Sequence, residues 1–127
     1  MKNVRATVFL VCSAALSACL YAAEKAATWE GTLVDSSCYL KDNSLTGNDH
    51  MGVKECGTAC LKGGSPAGLL TKDKKYHVIV APAPPLAPYV GQEVRITGSM
   101  RGGGILADKA EVRKGGKWEE VNLKAMM

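Results

Sequence analysis

Short alternating segments, cut apart by glycine and proline, recur through residues 28–123 and limit this chain to a mainly β fold. Residues 28–34 read Thr-Trp-Glu-Gly-Thr-Leu-Val, β-prone side chains in alternation, and form the first expected strand. Residues 69–71, 76–80, 93–98, 105–113 and 118–123 are further expected strands. Turn-forming runs separate them: Ser65-Pro66-Ala67-Gly68, Lys72-Asp73-Lys74-Lys75, Gly91-Gln92, Arg101-Gly102-Gly103-Gly104 and Lys114-Gly115-Gly116-Lys117. Pro82, Pro84, Pro85 and Pro88 crowd residues 81–88, which therefore cannot be a central strand. That run is expected as an extended surface connection, with a single helical turn at 86–89. Strands this short bury their apolar faces best when the sheet curls onto itself, so a closed or half-closed barrel of five or six strands is expected. A chain of 127 residues has room for one such domain, at 28–123, and 46 % hydrophobic with 22 % charged residues suits a globular one.

Residues 35–66 interrupt the strand pattern after the first strand. Ser36, Ser37, Asn43, Ser44, Gly47 and Asn48 make the stretch to 48 polar and turn-rich. One short helix is expected from about 49 or 51 to 62, with Asn48 or Asp49 capping its start and Gly63-Gly64 stopping it. Gly52 and Gly57 would each weaken that helix by about 1 kcal/mol relative to Ala. It therefore needs tertiary contacts or a ligand to hold it.

The N-terminal segment reads as an export signal and is set apart from the fold. Lys2 and Arg5 precede an apolar run of 11 residues, 6–16, too short to span a bilayer as a helix. The run ends in Leu16-Ser17-Ala18-Cys19, which resembles a bacterial lipobox, so residues 1–18 are the expected signal peptide and Cys19 the expected lipidated residue. Ordinary cleavage near 22–23 is the competing reading, although Leu20 or Tyr21 then sits poorly before the cut. Export places the domain in the periplasm, on the outer membrane through a lipid anchor at Cys19, or outside the cell. Without Lys2 and Arg5 the 16 basic residues fall to 14 against 12 acidic ones, a small excess. No basic cluster is interleaved with aromatics, and nucleic-acid binding is not expected.

Cysteine counting then matters. Cys12 lies in the signal segment and Cys19 is removed or lipidated, which leaves Cys38, Cys56 and Cys60. An odd number in an oxidising compartment means either one disulfide with a spare thiol or a set of metal ligands. Cys56 and Cys60 are four apart and share a face of a helix. Cys38 comes from the loop after the first strand, and His50 is the fourth candidate ligand. Three thiolates and an imidazole make a tetrahedral set for zinc, and soft thiolates also suit Cu(I). On a regular helix His50 would be rotated about 120° from Cys56 and about 80° from Cys60, so it must reach the site from the loop before the helix. Asp35 is a candidate to orient His50 or stand behind the ligands. The alternative is a disulfide from Cys38 to Cys56 or Cys60, tying the inserted helix to the barrel.

Two resemblances attach to these residues. The phrase Leu86-Ala-Pro-Tyr-Val-Gly-Gln-Glu-Val-Arg-Ile-Thr-Gly98, continued to Val112, is similar to the second half of exported bacterial domains of OB-like fold. It implies an OB-like barrel with one short helix inserted after the first strand, the insertion being 35–66. The wider pattern Asp35-x-x-Cys38, His50, Cys56-x3-Cys60, Gly63-Gly64-x-Pro66 resembles a family of small uncharacterised exported bacterial proteins. That resemblance implies that barrel and Cys/His segment belong together and carries no activity with it.

The function expected is a non-catalytic envelope protein that binds zinc or copper through Cys38, His50, Cys56 and Cys60. A disulfide-stapled module that binds an envelope protein or a small ligand without metal is the alternative, and a thiol redox protein using Cys56 or Cys60 is the third reading. A depressed thiol pKa would favour the third. Hydrolase patterns are absent: there is no nucleophile elbow and no paired acids at a recognisable spacing. Cys-x3-Cys is also not the Cys-x-x-Cys of thioredoxin-like enzymes. His77 is expected at the surface, Trp29 and Trp118 in core or barrel-end packing, and Gly102-Gly103-Gly104 at a hairpin tip.

Overall fold

The computed structural model describes residues 25–124. The expected signal segment, Cys12, Cys19 and the last three residues lie outside that range.

Six strands form one sheet: β1 (Ala27–Asp35), β2 (Ala67–Thr71), β3 (Tyr76–Val80), β4 (Glu93–Arg101), β5 (Gly104–Lys114) and β6 (Lys117–Val121). β1 pairs antiparallel with both β2 and β4, β2 with β3, and β4 with β5. A parallel pairing of β3 with β5, Ile79 opposite Ile105, closes these five strands into a ring. The mainly β, five- to six-stranded architecture read from the sequence is the one observed. β5 makes the closure possible by its length. Its first residues, Gly104 to Leu106, meet β3, while Ala110 to Lys114 carry β6 as an added hairpin strand.

The period-2 pattern decides which side chains enter the ring. In β4, Val94 and Ile96 are fully buried while Arg95 and Thr97, alternating with them, are not. Leu33, Leu69, Ile79, Ile105 and Val112 complete the interior from the other strands. Each such aliphatic side chain contributes about 1.5–3 kcal/mol on burial. Two glycines allow the strands to approach. A Cβ at Gly31 would sit 2.3 Å from the Leu70 carbonyl oxygen, and one at Gly98 would sit 2.0 Å from that of Leu106, beside the register shift in β4 and β5.

The proline run departs from expectation. Residues Pro84–Tyr89 form a 3₁₀ helix with Leu86 and Ala87 buried in the core, not an extended surface connection, and the helical turn expected at 86–89 is part of it. Pro84 and Pro85 fall at the first helical positions, where no N–H is required, and the Leu86 amide donates to Ala83 at 2.9 Å.

The insertion between β1 and β2 also differs from expectation, because it holds two helices: α1 (Ser36–Tyr39) and α2 (Cys56–Lys62). α2 starts later than the sequence suggested. Residues 50–53 instead make a tight turn, the His50 and Val53 backbones exchanging hydrogen bonds of 3.1 and 2.8 Å. Gly52, with φ of 80°, belongs to that turn and does not weaken the helix. α2 buries Leu61 in the same core as Leu86 and Ala87 of the 3₁₀ helix. Trp118 departs from core packing: it is half-buried on the outer face, with the Arg95 guanidinium 4.5 Å and that of Arg113 5.8 Å from its ring.

Candidate metal centre

The insertion gathers the cysteines and His50. β1 ends in Asp35, whose carboxylate accepts from the Ser37 amide at 3.1 Å and thereby starts α1. That turn carries Cys38. The same Asp35 oxygen accepts from the Ser65 hydroxyl at 2.5 Å, and Ser65 also bonds Ser37 at 2.7 Å between side chains. Since the Ser65 amide donates to the Cys60 carbonyl at 2.9 Å, this small network fixes the end of α2 opposite α1.

The other end of α2 is held from the loop before it. Asn48 accepts from the Thr58 amide at 2.8 Å through its side chain and from the Gly57 amide at 3.0 Å through its carbonyl. Asp49 accepts from the Glu55 amide at 2.8 Å. Both residues serve the orphan amides of the helix start, as expected of caps, but from several residues upstream. The clamp sets His50 beside Cys56. His50 thus approaches from the loop, the only direction the helical rotation permitted.

The donor atoms fall into two sets of three. Cys38, His50 and Cys56 place theirs within 4.8 Å of one another, and so do Asp35, Cys38 and Cys60. Donors on one tetrahedral zinc lie about 3.5–3.8 Å apart, given bond lengths of about 2.0–2.3 Å. Either set therefore reaches coordination distance by a closure of about 1 Å. Cys60 does not join His50 and Cys56 in one group, so the four expected ligands are divided between the two sets, with Cys38 common to both. Asp35 lies with Cys38 and Cys60. The ring N–H of His50 goes to the Gly47 carbonyl, 2.7 Å from Nε2.

That bond fixes the histidine. A carbonyl only accepts, so Nε2 carries the hydrogen. The imidazole is 1 % exposed and its Nδ1 has no hydrogen-bond partner. Cys38, Cys56 and Cys60 are free thiols and half-buried. The adjacent Asp35 carboxylate, then burial, pushes the Cys38 thiol up to about 12, and burial followed by the Asp35 charge raises that of Cys60. Burial pushes the Asp35 carboxyl upward, but the Ser65 hydroxyl, the adjacent Cys38 thiol, the Ser37 amide and the adjacent Cys60 thiol outweigh it and hold it below its ordinary value.

Sequence reasoning named the donors but missed Gly47, Ser37 and Ser65, which hold them. Asp35 before Ser36-Ser37 is an N-cap signal that would have revealed α1. The role of the Gly47 carbonyl left no local trace. A wider concavity of about 630 Å³, which includes Lys72, Lys74, Glu93 and Arg113, contains none of these residues. Its Glu93 is already paired with Lys72 at 3.4 Å and Arg113 at 3.2 Å. No family model, curated protein or solved structure matches the chain.

Proposed function

We propose that this chain is an exported, non-catalytic envelope protein that holds zinc or Cu(I) at the Cys/His site of its insertion. The observation that carries the reading is His50 Nδ1. It is a buried acceptor with nothing to accept from, beside the thiols of Cys38 and Cys56, on a ring whose other nitrogen is bonded to a backbone carbonyl. Leaving such an atom unpartnered costs about 1–3 kcal/mol. A metal ion removes that cost, and a ligating histidine commonly donates its second nitrogen to a carbonyl in this way. Sulfur and imidazole nitrogen select borderline and soft ions over magnesium or calcium.

Thiol redox chemistry fits less well, because the thiols of Cys38 and Cys60 are raised and not lowered. The disulfide-stapled module keeps one observation in its favour: the Cys38 sulfur lies within 4.8 Å of that of Cys56 and, in the other set, of that of Cys60. Substituting His50→Ala separates these readings. The metal reading expects zinc content to fall by one ion per chain, with at least tenfold weaker binding by the remaining Cys38 and Cys56. Unchanged metal content in the variant, or a metal-free parent with a Cys38 disulfide, contradicts it.

A further inference from the structure

Resting on that reading, we infer that the site takes two divalent ions, with Cys38 as a bridging thiolate and Asp35 as a ligand of the second ion. The two donor sets overlap only at Cys38, with His50 and Cys56 in one and Asp35 and Cys60 in the other. Each set contains its own buried acceptor that lacks a partner. In the first it is His50 Nδ1. In the second it is Asp35 Oδ2, on a carboxylate with no exposure at all. Asp35 Oδ1 is occupied by the Ser37 amide and the Ser65 hydroxyl, so Oδ2 is the oxygen left to ligate.

One ion satisfies one of these two atoms and leaves the other stranded. Charge gives the same count. A single divalent ion on Cys38, His50 and Cys56 is neutralised by its two thiolates and leaves the charge of buried Asp35 uncompensated. Two divalent ions balance Cys38, Cys56, Cys60 and Asp35 with the imidazole neutral, which removes the penalty of uncompensated buried charge. Two Cu(I) ions would leave the site negative, so the pair is assigned to zinc. Each ion has three protein donors and one position for an exchangeable ligand.

The test uses the full chain with Cys12→Ser and Cys19→Ser, so that the site supplies all the thiols. Reduced protein is stripped of metal, titrated with zinc and read by native mass spectrometry. The inference expects two ions per chain, one after Asp35→Asn, one after His50→Ala, and none held tightly after Cys38→Ser. Cadmium NMR of the otherwise unaltered site gives a readout independent of the Asp35, His50 and Cys38 variants: two resonances coupled to each other through the shared sulfur. A single ion, untouched by Asp35→Asn, overturns the two-ion inference and leaves the Cys/His site standing. Two ions with uncoupled resonances also overturn it. No bound ion at all overturns the site itself.

Discussion

Glu111 shows how a buried carboxylate is held on the outer face of the sheet. Its carboxylate, one-tenth exposed, accepts from Arg95 Nε at 2.8 Å and Nη2 at 3.0 Å, and from Lys109 at 3.1 Å. The Arg95 bonds outweigh burial and, with Lys109, lower its pKa from 4.5 to about 2. A carboxyl depressed on folding stabilises above its unfolded value and loses that contribution as pH falls through the folded one. The window here runs from about pH 4.5 down to about 2. Glu111→Gln is expected to cost about 1.5–3 kcal/mol near neutrality and to flatten the acid limb, read from urea midpoints across that range. An acid limb identical to the parent's would contradict the assignment. At the Cys/His site the same scale explains what the sequence disclosed. Cys38, His50 and Cys56 announce themselves by chemical type. That Asp35 faces Cys38 and Cys60, and that Gly47 holds the ring N–H of His50, depends on backbone paths that composition does not encode.

At the scale of elements, the insertion works because its two ends are clamped separately. The network of Asp35, Ser37 and Ser65 ties α1 to the end of α2, and Asn48 ties the loop to its start. Gly57 sits in the second clamp: a Cβ there would lie 2.6 Å from Val90 Cγ1 and 3.1 Å from the Asn48 side-chain oxygen. Helix propensity alone says that Gly57→Ala stabilises by about 1 kcal/mol. Packing reverses the sign, and a net loss of about 1–2 kcal/mol is expected on denaturant unfolding of metal-free protein. A gain would show that α2 stands clear of the residue it is packed against. The strands were legible because alternation is a strong local signal: residues 76–80 match β3 end for end, and β1 and β5 differ by one residue at each end. The helix start was not, because Asn48 and Asp49 look like adjacent caps while acting across a turn. The proline run was legible only in part for a related reason: its helical turn at 86–89 could be read, its burial could not. Its missing N–H groups exclude a strand, but burial of Leu86 and Ala87 against the ring is a tertiary effect.

For the whole molecule, the ring and the Cys/His site are one unit. β1 runs through the ring and ends at Asp35, and α2, which carries Cys56 and Cys60, packs Leu61 into the core with Leu86 and Ala87 of the 3₁₀ helix. The ring supplies a rigid frame, while the 35–66 insertion has few apolar side chains of its own and depends on clamps and on what binds the thiols. Metal loading is therefore expected to stabilise the insertion along with the site. The most direct measurement is the native mass of the chain isolated from an oxidising compartment without reductant or chelator, followed by a thiol count after denaturation. Bound zinc with Cys38, Cys56 and Cys60 all recovered as free thiols is the predicted result. A metal-free mass with two of those thiols missing would contradict the account and make the cysteines a structural staple.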